Sequence, residues 1–398
     1  MVLDTKQITD ITEADIQALK ENKVSERTVM EYKRDLPGSR DSDKKEFLYD
    51  VSSFANARGG HLIFGIEEEG GIPKDIPSLS VPDTDAEKRR WQSLILDGVE
   101  PRMPGVELHF VPCRDSKHIL VIRIPKSWSL PHMVTIQGVN KFYTRNSAGK
   151  HPVDVGELRA LFAQSGEISE RLKRFRAERL SQIIAGETPV QLEPEPKMVL
   201  HVLPFESFAL GPRIDLKAAQ VLPNGLLTPL GEGGYSTRVN IDGLLLYTNG
   251  FEKTSSAYLQ LYRKGIIETV NARVLSAHSR SGVPALRGVK LIPSIAFERY
   301  LLTQIPAYLK ALHMLGIQPP FAVMLTLLGV KDCWMALNAG IGGGSKMDRN
   351  DLIIPEILIE KIDCRPMDIK PLLDAVWNAG GHFESPNFDA SGNWAGSQ

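Results

Sequence analysis

The sequence predicts an α+β protein: an N-terminal domain with a mixed sheet and flanking helices, followed by a second α/β domain. Three observations carry this. Runs with strand alternation and runs with helical spacing take turns along residues 1–165. The stretch Glu187 to Lys197 then holds three prolines and three glutamates in eleven residues, which neither a helix nor a central strand tolerates. Beyond it, apolar runs and helical spacing resume. The expected division is a first domain at 1–165, a basic helix and linker at 166–197, an α/β domain at 198–384 and a flexible tail at 385–398, where aliphatic residues are scarce.

Taken in order, Ile11 to Lys20 reads as a short helix capped near Thr12, and Thr28 to Leu36 as a strand. Ser42 to Ala57 is helical, because Phe47, Leu48, Val51, Phe54 and Ala55 share a face and Asp41 or Ser42 can cap it. Gly59 and Gly60 stop that helix, and His61 to Ile66 follows as a buried strand. Thr84 to Asp97 is a second helix, with Trp91, Leu94 and Ile95 inward. Val106 to Val111 and His118 to Ile124 form an antiparallel pair, Lys141 to Arg145 adds a strand, and Val153 to Ala163 closes the domain as a helix. A charged helix from Glu167 to Ile184 leads to the linker, its five basic residues reading as a solvated face around a packing stripe, with a nucleic-acid contact as the alternative. In the second domain, Met198 to Leu203, Asp242 to Thr248, Ala257 to Val274 and Phe321 to Leu328 read as β, Ser294 to Met314 and Asp368 to Ala379 as helices.

Composition narrows the function. The 398 residues carry 47 Lys plus Arg against 48 Asp plus Glu, a formal net charge of −1, so a protein basic over its whole surface is excluded and any nucleic-acid site is a local patch. Cys113, Cys333 and Cys364 lie far apart and form neither a disulfide framework nor a zinc module. The start of the chain lacks an apolar signal core, and the longest apolar run is about half of the ~20 residues a bilayer requires. A soluble cytoplasmic protein without membrane contact is expected. The loop Gly340 to Lys346 has a phosphate-cradle composition, but its lysine follows serine instead of preceding it, so a P-loop is not expected.

The informative segment runs from Ser25 to Arg34. On a strand, Glu31 and Lys33 share one face and Met30, Tyr32 and Arg34 the other. A carboxylate and an ammonium so placed can hold Mg²⁺ or Mn²⁺ and steady the charge of a reacting phosphate. Glu26 precedes at the turn entering this strand, and Glu67 follows the buried strand at what would be the same end. Two carboxylates about 5 Å apart repel by roughly 3 kcal/mol at an effective dielectric near 20, so three together require a proton or a cation among them. The alternative is a solvated turn at Glu67 to Glu69 and a surface Glu26. On Lys141 to Arg145, the residues Lys141, Tyr143 and Arg145 alternate onto one face, suited to a phosphate backbone with a base stacked between, or simply an amphipathic edge strand.

Glu26, Glu31-Tyr32-Lys33, then Phe54-Ala55-Asn56 with Gly59-Gly60, then Gly65-Ile66-Glu67, and later Lys141 to Ser147, together resemble the Schlafen-type AlbA_2 domain over roughly Glu26 to Phe162. The resemblance implies a nucleic-acid-binding fold, and a metal-dependent endoribonuclease acting on structured RNA such as tRNA, with antiviral (anti-phage) defence as a setting. Glu26, Glu31 and Glu67 fall on the family's three acids and would hold Mg²⁺ or Mn²⁺, with Lys33 assisting catalysis. Glu67 stands where the family has aspartate. Arg34, Lys141, Tyr143, Arg145 and Lys150 would contact RNA or DNA, and Asn56 would support a ligand or end its helix. Only one copy of the motif is present, so a homo-oligomer would have to supply a second lobe. The competing expectations are a non-catalytic DNA- or RNA-binding regulatory module and an ATP-binding protein.

Overall fold

In the computed structural model of the chain, the described residues are 3 and 6–396 without 27, 104, 195, 209–213, 249–253, 276–289, 338–339 and 342–343. The fold class is α+β, in two compact units, Met1–Ser169 and Glu170–Gln398.

In the first unit, α1 (Glu13–Glu21) follows Thr12, whose N–H and hydroxyl both donate to the Asp15 carboxylate. Strand β1 (Met30–Lys33) buries Met30 and Tyr32 and turns Glu31 and Lys33 to the other face, as alternation requires. Helix α2 (Asp41–Ala55) buries Phe47, Leu48, Val51 and Phe54. The expected cap at Asp41 or Ser42 is not used: both lie inside the helix, where Asp41 and Asp43 instead favour the positive end of the dipole. The turn after α2 depends on Gly59, at φ 71°, whose N–H donates to the Phe54 carbonyl at 2.8 Å. A Cβ there would lie 2.4 Å from the Lys126 backbone nitrogen, so only glycine fits.

Strand β2 (Gly60–Phe64) runs parallel to β1, with Glu31 opposite Leu62 and Lys33 opposite Phe64. A hairpin of β3 (Glu67–Glu69) and β4 (Ile72–Asp75) follows, then α3 (Thr84–Gly98), β5 (Val99–Glu100), β6 (Glu107–Pro112), β7 (His118–Ile124), β8 (Met133–Val134), β9 (Lys141–Asn146), β10 (Gly149–Pro152) and α4 (Val155–Ile184). One sheet has the order β1-β2-β7-β6 and a second the order β10-β9-β8-β5. The first sheet is buried on both faces. Ile16 and Leu19 of α1 pack with Ile63 and Val121 on one side. Phe47, Val51 and Phe54 of α2, with Trp91 of α3, pack with Leu62, Leu120 and Ile122 on the other.

The two helices expected at Val153 to Ala163 and Glu167 to Ile184 are one continuous helix, α4. Gly166 lies between the two stretches, and one glycine inside a helix costs only about 1 kcal/mol.

The second unit contains β11 (Lys197–Pro204), α5 (Leu216–Gln220), β12 (Ser236–Val239), β13 (Gly243–Tyr247), β14 (Ala257–Tyr262), β15 (Ile267–Asn271), β16 (Lys290–Ile292), α6 (Ser294–Met314), β17 (Phe321–Leu328), β18 (Cys333–Leu337), β19 (Gly340–Ile341), β20 (Asp351–Ile353), β21 (Ile357–Ile359) and α7 (Pro366–Ala379). Its large sheet has the order β12-β13-β14-β15-β11-β17-β20, with β21 also on β17, and every pair is antiparallel. The run Ala257 to Val274 is therefore a hairpin, turned at Gly265 with φ 85°. Helices α6 and α7 cover one face through Phe297, Leu301, Leu309, Leu372 and Trp377. The loop Gly340 to Lys346 lies partly outside the described residues, and β20, not a helix, is the next regular element.

The other face of this sheet receives residues 170–184 of α4, which belong to this second unit, where Leu180 and Ile183 pack on Val199, Leu245, Tyr258 and Val270. Arginines expected to face solvent bind the helix down. Arg179 donates twice to the fully buried Glu268, each at 2.8 Å, Arg176 donates to the Ile354 carbonyl at 3.0 Å, and Arg171 to the Phe208 carbonyl at 2.8 Å. His201 and the Tyr258 hydroxyl complete the shell of Glu268 at 2.9 and 2.7 Å.

The segment after Ser385 also departs from expectation. Glu298 of α6, fully buried, accepts hydrogen bonds from Ser385 Oγ at 2.5 Å, Asn387 Nδ2 at 2.9 Å, Trp394 Nε1 at 2.6 Å and Trp377 Nε1 at 2.7 Å. Polar composition suggested a loose tail; a buried acceptor far away in sequence holds it instead. No described helix is long and apolar enough to cross a membrane.

Candidate functional site

Alternation along β1 puts Glu31 and Lys33 on the face toward α2, β9 and β10. The Lys33 ammonium lies 2.6 Å from Glu31 Oε1 and 3.8 Å from Asp50 Oδ2. The second Glu31 oxygen accepts from Arg145 Nη2 at 2.8 Å. Asp50 Oδ1 lies 2.6 Å from Lys150 Nζ, which reaches Glu46 Oε1 at 2.5 Å. Glu46 and Asp50 are one helical turn apart on α2, so a single lysine from β10 bridges them. The result is a chain of alternating charge, Arg145–Glu31–Lys33–Asp50–Lys150–Glu46, drawn from three separate segments.

Burial decides how these groups titrate. It works to raise Glu31, but the Lys33 and Arg145 cations outweigh it and hold that carboxyl below its ordinary range. At Asp50 burial wins: with Glu31 nearby, the carboxyl is pushed up to about 6. Burial also raises Glu26, which accepts from the Tyr32 N–H at 2.6 Å and feels Glu31 and Glu68. Burial would lower Lys33, yet Asp50 and Glu31 raise it, so it stays an ammonium.

The structure brings only part of the expected set together. Glu31, Lys33 and Lys150 meet in the network, and Glu26 lies within electrostatic reach of Glu31 and Lys33. Glu67 does emerge at the same end of the sheet as β1, but its carboxylate lies 3.9 Å from Arg34 Nη1 on the β3–β4 hairpin. As placed, the three glutamates do not fit a divalent ion. Both Glu31 oxygens are taken by protein cations, and among the described residues no three His, Cys, Asp or Glu side chains are grouped to hold a metal.

Strand β9 also differs from expectation. Lys141 is exposed, but Arg145 is buried, with its guanidinium 3.6 Å from the Phe54 ring centroid, and Tyr143 stacks on Tyr49 of α2 at 4.1 Å. Tyr143 and Arg145 of this face pack on α2, so Arg145 is unavailable to RNA. Asn56 is a clamp: its Nδ2 donates to the carbonyls of His132 and Tyr143, both at 2.8 Å, and its Oδ1 accepts from the His132 N–H at 2.7 Å. His61 is a core residue, as expected, and accepts from Arg123 Nε at 3.1 Å.

Sequence reasoning missed Asp50 and Glu46. A signal existed for Asp50: it lies three residues after Phe47 and four before Phe54, an acid on the apolar stripe of α2. Glu46 offered none, since an exposed helical glutamate is ordinary.

This architecture, a mixed sheet carrying a charged strand beside the helix that ends in Phe54-Ala55-Asn56, defines a class of domain. Residues 26–154, less than half of the chain, match the family model described as Schlafen, AlbA_2, and this stretch is a Schlafen AlbA_2 domain. Among solved structures, the chain is similar to the N-terminal domain of a putative ATP-dependent DNA helicase RecG-related protein from Nitrosomonas europaea, at 24% identity over 33% of this chain and 86% of that one, with a TM-score of 0.26. It is also similar to the DIP2311 protein from Corynebacterium diphtheriae, at 17% identity over 35% of this chain and 26% of that one, with a TM-score of 0.24. No curated protein matches.

Proposed function

We propose that the N-terminal unit binds nucleic acid, RNA or DNA, and that the network around Lys33 is where the backbone meets it. One observation carries this reading: Lys33 of β1 and Lys150 of β10 converge on Asp50, while Arg34, 61% exposed, lies next along the chain. Lysines are point-charge partners for phosphate, and an exposed arginine beside them extends the footprint. The match to the Schlafen AlbA_2 family supports the same reading. A chain with a formal net charge of −1 can attract a polyanion only through such a local cluster.

A second reading, hydrolysis of a phosphodiester in structured RNA such as tRNA, is favoured by one observation. Glu31 and Asp50 flank Lys33 with their carboxyls driven in opposite directions, the pattern of an acid and a base sharing a site. A divalent ion at Glu31 would first have to displace Lys33 or Arg145, so no step is assigned to a metal.

The test uses the full chain with total tRNA and with duplex DNA, in Mn²⁺ or EDTA, beside Glu31→Ala. Binding that weakens as salt rises, without cleavage, supports the binding module, because each phosphate neutralised releases counterions. Cleavage lost in Glu31→Ala supports hydrolysis, and its dependence on Mn²⁺ reads out the metal. Absence of binding to either nucleic acid at low salt overturns both.

A further inference from the structure

We infer that Lys33 and Lys150 form a subsite for one backbone phosphate, and that the carboxylate of Asp50 occupies this subsite in the free protein. The inference rests on the nucleic-acid reading above and names how that site is regulated: the domain carries its own anionic competitor.

The geometry supports it as follows. The two lysines come from β1 and β10, which belong to different sheets, and both reach Asp50. Asp50 is not a surface residue that happens to fall between them. Its side chain is 3% exposed, whereas that of Lys33 is 37% exposed. A buried carboxylate therefore faces outward onto a lysine that solvent reaches. A carboxylate offers two oxygens to two ammoniums much as a phosphodiester offers its two unbridged oxygens. Glu46, on the exposed side of α2, is a second acid on Lys150.

A phosphate entering this site has to displace Asp50 from the lysines or bind against its charge. Removing that charge while keeping the shape takes away the one acid the two ammoniums share, leaving Lys33 with Glu31 and Lys150 with Glu46. Asp50→Asn is the isosteric change, and Glu46→Gln weakens the same grip from an exposed position.

The experiment measures binding of a labelled single-stranded RNA to the full chain by fluorescence anisotropy, from 50 to 300 mM salt. It compares the wild type, Asp50→Asn, Glu46→Gln, Lys33→Met/Lys150→Met, and Asp50→Asn combined with the two lysine changes. Expected are an affinity roughly three- to tenfold tighter for Asp50→Asn, a smaller gain for Glu46→Gln, and a salt dependence steeper by up to about 0.7 for the phosphate gained. The gain disappears when both lysines are replaced. Persistence of the gain without the lysines overturns the subsite, because it then reflects net charge alone. No gain in either acid variant, with thermal melts showing both folded, overturns it too. If the wild type binds and the acid variants do not bind more tightly, only the subsite falls; if no form binds, the nucleic-acid reading falls with it.

Discussion

Replacing Asn56 by alanine should unfasten β8 and β9 from α2. Three hydrogen bonds of 2.7–2.8 Å join this side chain to the His132 N–H and to the carbonyls of His132 and Tyr143. Asn56 is 3% exposed and His132 fully buried, so water does not easily replace them. Each bond lost removes about 1 kcal/mol, and the stranded His132 N–H adds roughly 1–3 kcal/mol for a buried donor without a partner. The expected loss is about 4–6 kcal/mol. It is local, because the bonds tie one loop and one strand to a helix end, and it displaces the strand that carries Arg145 to Glu31. Hydrogen–deuterium exchange of peptides covering residues 132–146 reads it directly: even the lower end, ~4 kcal/mol, speeds exchange through local opening by roughly 10³-fold. Asn56→Asp should fail comparably, since a carboxylate cannot donate to two carbonyls. Protection of 132–146 within about threefold of wild type in Asn56→Ala, roughly 0.7 kcal/mol, would refute the clamp.

Other outcomes follow from the same structure. Arg145→Met removes one of the two cations on Glu31 and leaves a mostly buried carboxylate half paired, costing about 3–5 kcal/mol, and the Glu31 carboxyl should titrate upward, as carbon-detected NMR would show. At Glu268, burial favours the neutral acid, but the hydrogen bonds from Arg179 and His201 outweigh it and bring the carboxyl down to about 2. A depressed carboxyl stabilises the fold above its unfolded value, so on the order of 3 kcal/mol should be lost as pH falls from about 4.5 through about 2, and Glu268→Gln should flatten that limb of the acid unfolding curve. Glu298→Ala strands four donors, and limited proteolysis should then cut between Ser385 and Trp394, a stretch expected to resist in the wild type.

Much of the fold was legible because local chemistry forces it. The alternation of Met30 and Tyr32 against Glu31 and Lys33, the apolar stripe of α2, the stop at Gly59 and Gly60, and the boundaries of α6 and β17 all follow from periods and φ angles that a short stretch determines alone. The motif from Glu26 to Glu67 pointed to the right family for the same reason: its spacing is one strand, one helix and one strand.

What the sequence could not show are the partners. Lys33 was read beside three glutamates, yet its second acid is Asp50, seventeen positions on and hidden in a hydrophobic stripe. Arg145 looked like an RNA contact until the second sheet laid it against Phe54 and Glu31. The basic face of α4 and the polar stretch after Ser385 look solvated in composition, but Glu268 and Glu298, buried on distant elements, claim their donors. Periodicity states which face of an element a side chain occupies. Which charge it meets there is set by the packing of elements remote along the chain, where the energy of a buried ion pair depends on a few ångströms that no local pattern encodes.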